Sequence, residues 1–173
     1  MKRNRLKMPI LVSLFAALIS VSAFIAIPFT VPITLQTLVI FLSLMLLGVG
    51  GLYAVLIYIA LGAVGLPVFA AGGAGVGHIL GASGGFIFGF ILASGAFVLL
   101  RLIFGEGRAR DIAYAFISLG IIYLSGVIWF VFVYGGADRM LTAVGALLLP
   151  SVIFDIIKLL LASYLSERLK KLI

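Results

Sequence analysis

Asp155 and Lys158 are the residues of this 173-residue chain whose types and positions most clearly predict chemistry. Both lie well inside an apolar stretch, and a charge inside a bilayer is costly unless it faces a cavity or a partner. Their i, i+3 spacing puts them on one helix face, and Asp155 lies about 7 Å along the helix from Pro150. We interpret the pair as a site for a polar ligand that arrives from outside. The alternative is an ion pair that fixes helix packing.

The composition indicates that this pair lies in a membrane. Hydrophobic residues make up 65% of the chain and charged residues 10%, and the mean hydropathy is +1.40, whereas soluble domains carry about 25% charged residues. Six spans of about 20 residues would leave too few residues in one block for a soluble catalytic or nucleotide-binding domain. We therefore predict an all-α integral membrane protein with a single membrane domain over residues 1–173. Its energy source must then be a partner or a gradient.

Proline, glycine and charged residues divide the apolar sequence into six predicted membrane spans. The first run of about 20 apolar residues exceeds the roughly 7–15 of a signal-peptide core, so it is predicted to be retained. The second and third are shorter than a full crossing, which is typical where backbone faces a cavity or other protein. The predicted spans cover about residues 8–27, 38–48, 52–66, 85–104, 112–134 and 150–167.

The basic residues predict the orientation of these spans. With both termini in the cytoplasm, ten of the twelve Lys and Arg residues are cytoplasmic or at that interface, while Arg139 lies outside and Lys158 within a span. This distribution agrees with the positive-inside rule and indicates a multi-pass protein of the plasma membrane. It also explains the net charge of +7 without a nucleic-acid partner.

Other chemistries find little support in the sequence. The chain has no cysteine, which excludes disulfides, thiolate metal sites and thiol nucleophiles. His78 has no second histidine nearby, so we interpret it as a hydrogen-bonded loop residue rather than a metal ligand. The glycine-rich loop from Gly72 to Gly85 lacks the Gly-Lys-Ser/Thr of a phosphate cradle. We expect no cofactor, no metal and no enzyme activity, because no nucleophile–base pair accompanies the single histidine.

The first predicted span carries small residues at four-residue spacing. Ser13 with Ala17, and Ala16 with Ser20, let another helix approach closely in lipid. They form either an interface with a partner protein or a packing face within the chain, and the sequence leaves both open.

Several segments together resemble the BioY family, the substrate-binding S components of biotin transporters of the energy-coupling factor (ECF) type. They are IPFTVPITLQTLVI, LGAVGLPVFAAGG, GASGGFIFGF and a late proline before Asp155-x-x-Lys158, and they run in the family's order from Pro28 onward. The chain departs from the family pattern in two places. Gly81–Phe86 replaces Gly-Pro-Thr-Gly-Gly-Tyr, and Ile153-Phe154 replaces a Pro-Gly.

The resemblance implies a six-helix membrane protein, surrounded by lipid, that binds biotin from outside without making or breaking a bond. It implies as partners a transmembrane coupling subunit and two ATP-hydrolysing subunits. It also places Asp155 and Lys158 at the ligand and makes the loop from Thr30 to Thr37 a lid. The further ligand positions that it implies are Thr34, Leu35 and Gln36 in the lid and Gly84, Gly85 and Phe86 in the pocket.

The chemistry of biotin agrees with these residues. Its ureido ring offers N–H donors and a carbonyl acceptor, which a carboxylate and an ammonium on one helix face can bind by charge-assisted hydrogen bonds. Phe69 and Phe86 are candidates for the apolar wall, since ligand pockets are mostly apolar. Two alternatives remain: an S component for another small vitamin, and an autonomous proton-coupled carrier in which Asp155 is the proton site.

Overall fold

The computed structural model describes residues 2–27, 32–134 and 140–171, with the side chains of 2–5, 134 and 140–150 outside the description. Within these ranges the chain forms seven α-helices, one 3₁₀ turn and a two-stranded antiparallel ladder. The helices are α1 Lys2–Ser22, α2 Gln36–Leu47, α3 Val49–Ala63, α4 Gly75–Ile79, α5 Gly84–Phe104, α6 Arg108–Tyr134 and α7 Met140–Lys170, with the 3₁₀ turn at Ala70–Gly72. The strands are β1 Ala26–Ile27 and β2 Ile33–Thr34.

The helices pack around one apolar core. Helix α5 lies along α6, α2 lies against α7, and α1 packs on α2 and α3. The largest buried side chains include Tyr58, Phe41, Phe97, Ile122 and Leu159. Aromatic and branched aliphatic side chains from several helices therefore fill the interior, and van der Waals packing is the main attraction between helices in lipid.

The outward face of the bundle is as apolar as its interior. Leu102 is 71% exposed and Phe132 is 85% exposed, and such side chains suit a hydrocarbon surrounding. By length and composition, α5 over Gly84–Phe104 and α6 over Arg108–Val133 can each cross a membrane. Shorter apolar helices cover Leu6–Ser22, Gln36–Leu47 and Val49–Ala63. The chain is therefore a helical protein whose surface fits a membrane.

Several helix boundaries differ from the predicted span boundaries. Helix α1 ends at Ser22, and the following residues pair as β1 with β2 instead of continuing the first span. Helix α7 begins at Met140, ten residues before the predicted start of the sixth span at Pro150. Because a helix can extend beyond a bilayer, these bounds leave the six-span layout a prediction. Residues 135–139, which directly follow the predicted fifth span, lie outside the described residues.

A buried ion cluster joins four helices at one end of the bundle. Arg101 of α5 is 8% exposed. Its guanidinium donates to the Leu44 carbonyl of α2 at 3.0 Å and pairs with Glu106 at 3.0 Å. Asp111 of α6 lies 3.5 Å from Arg101 Nε and 3.4 Å from Lys170 Nζ of α7. The sequence places Arg101 at the cytoplasmic interface, and the structure shows that its charge is compensated within the protein.

We expect Asp111→Asn to destabilise the fold, because it removes a buried charge partner of Arg101 and Lys170. Loss of one partner of a buried ion pair costs about 3–5 kcal/mol. The measurement is the Tm of the purified protein in detergent. The matched control is Glu167→Gln, because the Glu167–Arg108 pair at 3.0 Å is largely exposed and such pairs contribute about 0–1 kcal/mol. Equal Tm values for the two variants would contradict this role of the cluster.

Candidate functional site

A cavity lies among α2, α3, α5, α6 and α7, beneath β2 and the segment that follows α3. Its volume is about 60 Å³, which gives room for roughly four to six water molecules. The polar side chains that line it are Thr34, Gln36, Thr37, Tyr58, His78, Ser83, Tyr123, Ser151 and Asp155. Its apolar lining includes Pro32, Ile33, Phe69, Phe86, Ile87, Phe90 and Ile122.

Asp155 is the carboxylate that this cavity contains among the described residues. Its Oδ1 accepts hydrogen bonds from Thr37 Oγ1 and Lys158 Nζ, each at 2.7 Å. Its Oδ2 accepts a hydrogen bond from the Tyr123 hydroxyl at 2.5 Å. The donors come from α2, α6 and α7, so the carboxylate is positioned by three helices. A carboxylate offers about four acceptor sites, and three of them are used here.

Lys158 lies behind this carboxylate rather than in the cavity wall. Its ammonium donates to the Thr34 carbonyl at 2.6 Å and to Asp155 at 2.7 Å, and it lies 3.5 Å from Thr37 Oγ1. Each of its three donors therefore has an acceptor, and the residue is 7% exposed. Lys158 compensates the charge of Asp155 and holds the end of β2. Asp155 is the member of the pair that lines the cavity.

Thr34 and Gln36 of the predicted lid both line the cavity. Thr34 Oγ1 donates to Gln36 Oε1 at 3.0 Å and accepts from the Gln36 backbone N–H at 3.3 Å. Gln36 Nε2 donates to the Tyr58 hydroxyl at 2.5 Å, which leaves the second amide N–H for another acceptor. Leu35 precedes α2 and is not among the residues that line the cavity. Thr30 lies outside the described residues.

Phe69 and Phe86 both line the cavity, as part of two aromatic groups. Phe69 is fully buried, stacks on His78 with ring centroids 5.3 Å apart, and meets Tyr58 edge-on at 5.6 Å. Phe86 meets Tyr123 edge-on at 6.2 Å. Their roles at a ligand stay predictions. The aromatic packing orients the hydroxyls of Tyr58 and Tyr123, which hold Gln36 and Asp155 in place.

Gly84 and Gly85 support the site from outside the cavity wall. A Cβ on Gly84 would lie 1.8 Å from the Ile79 carbonyl oxygen, and one on Gly85 would lie 2.3 Å from Trp129 Cβ. Trp129 donates to the Gly81 carbonyl at 3.0 Å. The two glycines thus let the start of α5 approach α4 and α6 closely. This packing positions Phe86, the next residue along α5.

The small residues of α1 divide between two faces. Ala16 and Ser20 are buried against the chain's own helices, and the Ser20 hydroxyl donates to the Ala16 carbonyl at 2.9 Å. Ser13 and Ala17 are exposed. In this structure Ala16 and Ser20 therefore contribute to packing within the chain. Ser13 and Ala17 remain on the outer surface, where a partner helix could contact them.

Polar residues of the cavity wall that were not among the predicted ligand positions are Thr37, Tyr58, His78, Ser83, Tyr123 and Ser151. Tyr58 and Tyr123 lie within predicted spans, and a buried tyrosine usually finds a hydrogen-bond partner for its hydroxyl. Their presence in apolar segments is the signal that could have identified them. Thr37 appeared only as the end of the predicted lid, but it contacts Asp155 directly.

An α-helical fold with an apolar surface and a buried cavity lined by one charge-compensated carboxylate is typical of a membrane protein that binds a small molecule. The family model described as the BioY family matches residues 1–173. The chain therefore belongs to the BioY family.

Known proteins resemble the chain over nearly its full length. The biotin transporter BioY of Thermotoga maritima is 46% identical over 162 residues, which cover 92% of this chain and 93% of the relative. The probable biotin transporter BioY of Pyrococcus horikoshii is 38% identical over 162 residues, with 92% and 94% covered. The crystal structure of the S-component for biotin from an ECF-type ABC transporter superposes with a TM-score of 0.85 at 24% identity, covering 99% of this chain and 94% of that one. This last likeness concerns the fold.

We expect Gly85→Ala to lower the Tm of the protein in detergent, because the added methyl group would meet Trp129. Overpacking of this kind costs about 1–3 kcal/mol. The matched control is Gly95→Ala on the same helix, since a Cβ there would meet nothing within 4 Å. That control is expected to leave the Tm unchanged or raise it, because alanine favours helix more than glycine does. A similar change in Tm for both variants would contradict a packing role of Gly85.

Proposed function

We propose that this chain is the substrate-capture subunit of a biotin importer. It binds biotin from the outer face of the membrane and delivers it inward with an ECF coupling module. The observation that carries this proposal is the Asp155 carboxylate, which lines a cavity and is compensated by Lys158. The names of the relatives and of the matching solved structure support biotin as the ligand.

The hydrogen-bonding groups of the cavity match a cyclic urea. Asp155 has one acceptor site left for a ureido N–H, and a second N–H can replace the Tyr123 hydroxyl on Oδ2. The free amide N–H of Gln36 can donate to the ureido carbonyl. Phe69 and Phe86 supply apolar surface for the thiophane ring and the valeryl chain. Capture and release make and break only non-covalent contacts, so the protein acts as a carrier and not as an enzyme.

Ligand entry requires the lid to move. The cavity has room for roughly four to six water molecules, which is less than a bicyclic urea with a valeryl chain needs. Lys158 binds the Thr34 carbonyl and Asp155 binds the Thr37 hydroxyl, so the lid is fastened to the charged pair itself. A ligand that competes for Asp155 therefore loosens the lid from inside. We propose that the loop from Thr30 to Thr37 opens for entry and closes over the bound molecule.

In the membrane, we propose six spans, both termini in the cytoplasm, and a multi-pass location in the plasma membrane. The Arg108–Glu167 and Asp111–Lys170 contacts support this arrangement, because they bring the basic start of α6 and the basic end of α7 to one end of the bundle. Such a cluster of basic residues is typical of the cytoplasmic side. The proposed partners are membrane lipids, a transmembrane coupling subunit and two ATPase subunits.

We expect the purified protein to bind biotin in calorimetry at micromolar concentrations, with other vitamins failing to compete. Absence of biotin binding would contradict biotin as the substrate. Competition by another vitamin would indicate that this vitamin is the substrate instead. Biotin uptake by liposomes that contain only this protein and a pH gradient would instead favour the autonomous proton-coupled carrier.

We further expect Asp155→Asn to weaken biotin affinity about 10- to 100-fold, because a hydrogen bond to a charged group contributes about 1.5–3 kcal/mol. The matched control is Asp111→Asn, which also removes a buried carboxylate but lies in the ion cluster around Arg101, away from the cavity. Both variants are expected to lose stability, and only Asp155→Asn is expected to lose affinity in its folded fraction. If the folded Asp155→Asn variant bound biotin with unchanged affinity, the Asp155–Lys158 ion pair would only stabilise the fold.

A further inference from the structure

The cavity has a second polar position, at His78 and Ser83, that binding of a urea does not use. His78 lies on α4 and Ser83 directly precedes α5, and both line the cavity. The Ser83 hydroxyl and His78 Nε2 are 3.2 Å apart. Of the described residues in the cavity wall, His78 is the one whose side chain becomes cationic near neutral pH.

The imidazole of His78 is held in a fixed orientation. One face stacks on the Phe69 ring, with an interplanar angle of 11°. Gly73 also lies against this ring, where a Cβ would come within 2.2 Å of His78 Nδ1 and Cε1. Phe69 and Gly73 together therefore restrict the movement of the imidazole. Its Nε2 edge is left to meet Ser83 and the cavity.

This polar position is separate from the Asp155 carboxylate. A series of contacts runs along one wall of the cavity. His78 stacks on Phe69, and Phe69 meets Tyr58 edge-on. The Tyr58 hydroxyl accepts from Gln36, and Gln36 contacts Thr34, whose carbonyl accepts from Lys158. The polar side chains of His78 and Ser83 thus lie at one end of this series of contacts and the Asp155–Lys158 pair at the other, with the rings of Phe69 and Tyr58 and the Gln36 amide between them. A ligand with a polar group at each end and an apolar middle fits this distribution.

Biotin has such a structure, with a urea at one end and a carboxylate at the other. The carboxylate cannot bind beside Asp155, because like charges repel, and every donor of Lys158 is already occupied. We propose that His78 and Ser83 form the subsite for the carboxylate of the ligand, and that His78 takes up one proton from solvent when the acid binds. This inference rests on the proposed function, which supplies the ligand.

The charges around His78 are consistent with proton uptake. Its described contacts, Phe69, Gly73 and Ser83, carry no charge. Helices α3 and α5 pack on α4, and their titratable groups are Tyr53 and Tyr58 on α3 and Arg101 at the far end of α5. The other titratable groups in the cavity wall are Asp155 and Tyr123.

Burial lowers the pKa of His78 below its usual value, because the charged form loses water. The empty site therefore favours the neutral imidazole. A carboxylate at hydrogen-bond distance raises the pKa again, because it stabilises the cation. Since the bound state has the higher pKa, it holds more protons, and affinity for the acid increases as pH falls through the range between the two values.

The test compares biotin with its neutral carboxamide on the wild-type full chain in detergent. Calorimetry in buffers of different ionisation enthalpy counts the protons exchanged. We expect proton uptake and tighter binding of biotin between about pH 8 and pH 6, with no uptake and no pH dependence for the carboxamide. Equal uptake for both ligands, or none for either, would overturn the inference. Because this measurement uses only the wild-type protein, its outcome does not depend on whether a variant folds.

Two variants assign the effect to the residues. His78→Gln keeps a hydrogen-bond donor without the charge, and it is expected to weaken biotin about 10-fold, abolish proton uptake and weaken the carboxamide much less than biotin. Ser83→Ala is expected to weaken biotin while keeping the proton uptake. Equal weakening of both ligands by His78→Gln would refute the subsite. If neither ligand binds the wild-type protein, the proposed function itself fails, which is a separate outcome.

Discussion

The contact between Asp155 and Lys158 is the interaction on which both the fold and the site depend. Two charges buried in an apolar bundle must be compensated, and here that compensation recruits Thr37, Tyr123 and the Thr34 carbonyl. The same hydrogen bonds that neutralise the pair therefore join α2, α6, α7 and β2. Stability and ligand recognition share these groups.

Helix α2 is held by buried charges at both of its ends. Thr37 near its start contacts Asp155, and the Leu44 carbonyl near its end accepts from Arg101. Helix α7 is anchored in the same two places, through Lys158 and Lys170. Because the interior between these ends is apolar, the two clusters fix how far each helix can slide against its neighbours. The cavity lies beside one of these anchors, so its shape is tied to the register of α2 and α7.

Glycines allow the aromatic side chains of the site to pack closely. Phe69 fits against Gly62, where a Cβ would be 2.1 Å from its ring, and His78 lies on Gly73. Trp129 approaches α5 at Gly85 in the same way. In each case a ring occupies the space that a side chain would need. The glycine-rich segments thus shape the cavity walls, although Gly62, Gly73 and Gly85 are not among the residues that line the cavity.

The sequence alone determined the class of the protein and the identity of its charged pair, since composition, apolar segment length and the i, i+3 spacing are local properties. Its resemblance to the BioY family also determined the family, which the comparison over residues 1–173 confirmed. Only the tertiary structure decided that Asp155 faces the cavity while Lys158 lies behind it, and that Ala16 and Ser20 point inward. It also brought Thr37, Tyr58, Tyr123 and His78 into the site. The reason is physical: helix periodicity fixes neighbours three or four residues apart, whereas Thr37 and Asp155, 118 residues apart, meet only when whole helices pack.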